Sequence, residues 1–132
     1  MVKILAVEDN TIAANVINYI IKKAGHVVDI AKDCQEAIKL FYGNGYALIF
    51  MDIGLPDGCG IDITKQIRNQ ANLNQNIPIV ALTAINDQQN KLSCYNVGMN
   101  DVLTKPINHK DILATIHKYT FCHNNGECLT CN

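Results

Sequence analysis

The sequence predicts an α/β fold, a doubly wound parallel sheet of five strands alternating with five helices. Three observations predict it. Short, nearly continuous apolar runs recur along the chain, as buried parallel strands require. Each is followed by a longer stretch with apolar residues at helical spacing. Glycines and capping residues then mark where one kind of segment gives way to the next. Right-handed crossovers place helices on both faces of such a sheet.

The strands are expected at Val2–Val7, Val27–Ala31, Ala47–Met51, Ile79–Leu82 and Asp101–Thr104, each too apolar to have a solvated face. The first helix spans Ile12–Ala24, with Ile12, Val16, Ile20 and Ala24 as its apolar row, and stops at Gly25. The second opens with the capping-box-like pair Asp33 and Glu36 and ends near Gly43. The third begins after Pro56 and runs to about Ala71, with Ile61, Ile63 and Ile67 apolar. The fourth starts at the N-cap Asn86 and stops at Gly98, and the fifth starts at Asn108 and reaches about Tyr119.

A chain of 132 residues suits a single domain. With 48% apolar residues and a net charge of −1, it has no basic excess to attract a phosphate backbone, so direct nucleic-acid binding is not expected. The longest apolar stretch, Ile12 to Ile21, is interrupted by Asn15 and Asn18 and falls short of the ~20 residues that span a membrane. No signal-peptide pattern opens the chain, and a cytoplasmic location is expected. Cys34, Cys59 and Cys94 are scattered through predicted helices and are expected to remain thiols in a reducing compartment.

Ligands of open parallel sheets bind outside the carboxyl ends of the strands, near the point where the winding reverses. Four strand ends deliver polar residues: Glu8-Asp9, Asp52, Thr83 and Lys105-Pro106. Acidic residues after a strand can simply cap the next helix, but that leaves Asp52 unexplained. Two carboxylates within ~4 Å repel by roughly 4 kcal/mol at an effective dielectric of 20, so a compensating positive charge is required. Oxygen ligands with room for water suit Mg²⁺ or Mn²⁺ better than Zn²⁺.

Four segments carry a resemblance to the receiver domains of two-component response regulators: Val7-Glu8-Asp9-Asn10, Met51-Asp52-Ile53-Gly54-Leu55-Pro56, Ala81-Leu82-Thr83-Ala84, and Gly98-Met99-Asn100-Asp101 followed by Lys105-Pro106. Any one is weak, but all four in this order are specific, and the resemblance spans residues 2 to about 119. It implies a flavodoxin-like sheet in the order 2-1-3-4-5 and a receiver unit over residues 1–120. It also implies that Asp52 accepts a phosphoryl group from phosphohistidine, and that Glu8, Asp9, Asp52 and the Gly54 carbonyl hold Mg²⁺ or Mn²⁺. Asp9 would bind the ion directly and Glu8 through water. Thr83 would bond a phosphoryl oxygen, Lys105 would pair first with Asp52 and then with the phosphoryl group, and Pro106 matches a cis-proline. Such a module assists its own phosphorylation and dephosphorylation rather than acting as an enzyme. The implied partner is a histidine kinase or a histidine phosphotransfer protein. Its phosphohistidine must reach Asp52 in line, so it is expected to rest on the loops after strands one, three and five, near Asn10, Thr11, Ile12, Pro56 and Pro106, with Ile12 less buried than Val16 or Ile20 and serving as an anchor.

The sequence also departs from the family. Where many receivers carry Tyr or Phe three residues before the lysine, this chain has Val102, a pattern similar to receivers of hybrid sensor kinases. Gly54 and Ile85 occupy the two positions that help or hinder attacking water, and neither has a group to orient it. A haloacid-dehalogenase-type phosphatase would need a second Asp where Gly54 stands, and no phosphate loop of the flavodoxin or P-loop kind follows the first strand. Asp57 and Asp62 read as dressing for the third helix, and His26, His109 and His117 as solvated or core-edge side chains. Residues 121–132 read as a flexible tail, although Cys122, His123, Cys128 and Cys131 have the chemistry of a tetrahedral zinc site.

Overall fold

A computed structural model describes residues 1–55, 60–69, 76–84 and 88–121 of the chain, with the backbone alone at Phe121. The elements run β1 (Lys3–Val7), α1 (Thr11–Lys23), β2 (Val27–Ala31), α2 (Cys34–Gly43), β3 (Leu48–Asp52), α3 (Gly60–Asn69), β4 (Ile79–Thr83), α4 (Gln88–Asn96), β5 (Asp101–Thr104) and α5 (His109–Ile116), which continues as a π-helical turn over His117–Phe121. All neighbouring strands are parallel, in the order β2-β1-β3-β4-β5. The expected start of the third helix at Pro56, its end near Ala71, the Asn86 cap, Asp57, Cys59, Ile85 and the four residues of the tail lie outside the described residues.

Strand pleating divides the core into two layers. Ile4, Ala6, Leu48, Phe50, Val80 and Leu82 face α1 and α5, where they meet Ile17, Ile20, Ile21 and Ile112. Leu5, Val7, Ile49, Met51, Ile79 and Ala81 face the other way, onto Ala37, Phe41, Ile63, Ile67 and Cys94 of α2, α3 and α4. Burying each large apolar side chain contributes about 1.5–3 kcal/mol. Every residue of β1 after Lys3, and all of β3 and β4, is buried, which gives the three central strands their rigidity.

Three expectations need correction. The edge strands are not fully covered: Val27 is exposed, and all four residues of β5 are half-buried, because each edge lacks a neighbour on one side. In α1 the buried residues are Ala14, Ile17, Ile20 and Ile21, whereas Val16 faces solvent and Ala24 is exposed; Ile12 is more exposed than Val16 or Ile20, as expected of a residue at the rim of the site. Asp33 caps α2 by accepting from the Glu36 N–H, but the Glu36 carboxylate accepts from the Lys32 N–H instead of closing a box on Asp33. Other boundaries agree to within two residues where described. Asn10 and Asn108 cap α1 and α5 by accepting from the Ala13 and Asp111 amides. Gly25 and Gly98, with φ of +90° and +100°, follow α1 and α4 in the left-handed region that favours glycine.

Candidate functional site

The two central strands bring two carboxyl groups side by side. In the parallel register Ala6 pairs with Phe50, so one further pleat on each strand sets Glu8 beside Asp52 on the same face. Asp9 follows at the start of the β1–α1 loop. Oxygen atoms of Glu8, Asp9 and Asp52 lie within 4.8 Å of one another, with Glu8 and Asp52 buried and Asp9 exposed. The β5–α5 loop then supplies the cation. Lys105 Nζ stands 2.7 Å from Glu8 Oε1 and 3.2 Å from Asp52 Oδ2. The expected pairing of Lys105 with Asp52 is therefore shared, and the closer contact is to Glu8. The Lys105–Pro106 peptide bond is cis, as its resemblance implied.

Backbone amides fix both acids. The Asn10 N–H donates to Glu8 Oε2 at 3.1 Å, and the Gly54 N–H donates to Asp52 Oδ1 at 2.9 Å. Glu8 Oε1 is buried and, apart from its ion pair with Lys105, receives no aligned hydrogen bond. Burial, together with the hydrogen bond shared with Asp52, raises the Glu8 carboxyl above its ordinary value. Burial also opposes ionisation of Asp52, but Glu8, the Gly54 amide and the Lys105 ammonium outweigh it and hold Asp52 below the usual carboxylate range. For Lys105 burial favours the neutral amine, and the two carboxylates reverse that effect and raise it. Asp52 is thus the more acidic member of the buried pair.

One ammonium faces three carboxyl groups, and one buried oxygen still wants a partner. Those residues fit a hard divalent cation with oxygen ligands. Gly54 is exposed and directly follows the site, with Ile53 between it and Asp52. Thr83 ends β4 with 2% exposure, and its Oγ1 accepts from Asn90 Nδ2 at 3.1 Å.

Two neighbours were not legible as part of the site. Asn90 belongs to no motif, and only the packing of α4 shows that it reaches Thr83. Gly60 opens α3 directly against β3: a Cβ there would lie 2.5 Å from the Asp52 carbonyl oxygen and 2.7 Å from Met51 Cγ. A lone glycine before an amphipathic stretch is too common to have signalled this. Asp62, by contrast, is exposed in the first turn of α3, as expected of a residue that dresses the helix.

A parallel α/β sheet with buried acids at its switch point and a lysine from the last loop defines a doubly wound α/β protein with an acidic pocket. The chain belongs to the response regulator receiver domain family, whose sequence profile matches residues 4–117. It is 37% identical over 126 residues to hybrid signal transduction histidine kinase B of Dictyostelium discoideum, covering 88% of this chain and 6% of that protein. The chain therefore spans a small part of this relative. A two-component response regulator from Clostridium difficile has a similar structure, with a TM-score of 0.87 and 33% identity over 94% of this chain and 99% of that one. The receiver domain of Saccharomyces cerevisiae Ssk1, solved in complex with the histidine phosphotransfer protein Ypd1, superposes with a TM-score of 0.85 and 33% identity, covering 92% of this chain and 90% of that one. The protein is a receiver domain of the two-component type.

Proposed function

We propose that Asp52 is the phosphoacceptor, taking a phosphoryl group from phosphohistidine on a histidine kinase or histidine phosphotransfer protein. The observation that carries this reading is a buried carboxyl at the end of the central strand, held ionised beside Lys105 and within reach of two further acids. An Asp52 oxygen attacks phosphorus in line. The P–O bond forms as the P–N bond breaks, and the electron pair returns to the imidazole nitrogen. Lys105 and the Thr83 hydroxyl stabilise the charge gathering on the phosphoryl oxygens. Asp9, Asp52 and the Gly54 carbonyl would hold Mg²⁺ or Mn²⁺ directly and Glu8 through water, and the ion would neutralise charge on the carboxylates and the incoming phosphoryl group. Residues 1–120 form the receiver unit and 121–132 a tail. The module assists its own phosphorylation and dephosphorylation, turns over no substrate, and works in the cytoplasm. None of the described helices is long and apolar enough to cross a membrane.

The partner's docking surface lies beside the site. A groove of about 480 Å³ runs between α1 and the β5–α5 loop, lined by Ile12, Val16, Lys105, Pro106 and Ile107 among others. Ile12 is 77% exposed and Val16 46%, so neither finishes the core. Exposed apolar groups at the rim of a charged site suit a partner helix that brings its phosphohistidine in line with Asp52. Pro56, also expected here, lies outside the described residues. Ile12→Asp is expected to slow transfer from a phosphohistidine donor by about tenfold, as loss of an interface anchor does, and to leave labelling by acetyl phosphate nearly unchanged. Both reactions should stop when the divalent cation is chelated. Equal slowing of both by Ile12→Asp, or of neither, would count against this surface, and phosphorylation that persists in chelator would count against the metal.

A further inference from the structure

A side-chain hydrogen bond ties the site to a helix. Thr83 closes the row Ile79, Ala81, Thr83, which faces α2, α3 and α4, so its hydroxyl lies on the side of α4. There Asn90, in the first turn of α4, donates Nδ2–H to Thr83 Oγ1 at 3.1 Å. Little of this helix is buried: of Gln88–Asn96 only Cys94 is, while Leu92 and Tyr95 are about half exposed. On the neighbouring strand Val102, the register partner of Ala81, has a short and stiff side chain that cannot swing to follow the threonine.

The direction of the bond sets what the hydroxyl can do. An amide NH₂ only donates, so Asn90 occupies a lone pair of Oγ1 and the hydroxyl's own proton is not spent on Asn90. Phosphoryl oxygens only accept, so a phosphorylated Asp52 needs the Thr83 hydroxyl as a donor. Donation into an oxygen also strengthens the bond that oxygen donates onward. We propose that Asn90 is a positioning residue: it presents Thr83 as a donor to the phosphoryl group and carries the phosphorylation state of Asp52 to α4. The inference rests on the reading of Asp52 as phosphoacceptor and names the route by which that site is read out.

Beryllofluoride with Mg²⁺, a mimic of the phosphoryl group, is the probe. Its affinity should be measured calorimetrically for the wild-type chain, Asn90→Ala, Asn90→Asp, Thr83→Ala and the two double variants. Loss of one neutral hydrogen bond should weaken binding about three- to tenfold in Asn90→Ala. Asn90→Asp keeps the shape but can only accept, so it draws the Thr83 proton toward itself and should weaken binding more. In the Thr83→Ala background neither change should matter. Hydrogen exchange adds a second readout: amides of α4 should slow on beryllofluoride binding in the wild type and not in Asn90→Ala. Wild-type affinity in both single variants, tighter binding by Asn90→Asp, or equal weakening with and without Thr83 would overturn the proposal. If the wild type itself binds no beryllofluoride, the reading of Asp52 fails with it. A wild type that binds while the Asn90 series stays flat removes only the role of Asn90.

Discussion

Replacing Gly60 with alanine adds a single methyl group at the most crowded of the described glycine positions. A Cβ at that position would meet the Asp52 carbonyl oxygen at 2.5 Å, Met51 Cγ at 2.7 Å and the Asp52 carbonyl carbon at 3.1 Å. Met51 can turn aside, but the other two atoms are backbone in a fully buried strand that is paired on both sides. Overpacking of this kind costs about 1–3 kcal/mol. Alanine's better helix propensity returns at most ~1 kcal/mol, and less at the first position of a helix. The net loss is about 1–2 kcal/mol, which for a chain of this length lowers the melting temperature by roughly 4–8 °C. Urea unfolding followed by circular dichroism measures it, with Gly43→Ala as control because nothing lies within 4 Å of a Cβ at Gly43. If Gly60→Ala were as stable as the wild type, or if Gly43→Ala lost as much, the close approach of α3 to β3 would be wrong.

Gly98→Ala should cost about 1–2 kcal/mol, because φ is +100° there and the new Cβ would press at 3.1 Å on Arg68 Nε, which donates to the Gly98 carbonyl. An unchanged urea midpoint would show that the loop after α4 is not held in this conformation. A pH effect is expected at His26, whose Nδ1 accepts from the Val2 N–H and whose pKa is lowered by burial and by the nearby amino terminus. A depressed imidazole favours the fold when neutral, so its contribution is complete above the unfolded value of 6.5 and is lost as pH falls through the lower folded value. Between about pH 7.5 and 5.5 the wild type should lose more stability than His26→Gln, and equal losses would remove the imidazole from the account.

Much of the fold could be read from the chain because parallel strands buried on both faces leave a plain signal, and Leu48 to Met51 and Ile79 to Leu82 carry it. The error in α1 has a geometric cause. A row at i, i+4, i+8 advances about 40° per step around a 3.6-residue helix, so Ile12, Val16, Ile20 and Ala24 wind from solvent toward the core and past it, while Ala14, Ile17 and Ile21 hold the inner face. Edge exposure at Val27 and along β5 depends on strand order, which composition does not reveal. Glu8, Asp9, Asp52, Thr83 and Lys105 could be picked out because each ends an apolar strand or opens the loop after it. The preference of Lys105 for Glu8 and the reach of Asn90 to Thr83 could not, since both depend on side-chain placement across elements far apart in sequence.

The central claim is that one carboxylate, Asp52, receives the phosphoryl group. Intact mass after incubation with Mg²⁺ and acetyl phosphate tests it most directly. The wild-type chain should gain the mass of a single phosphoryl group and Asp52→Asn should gain none. A gain that survives the substitution would place the acceptor elsewhere and contradict the account.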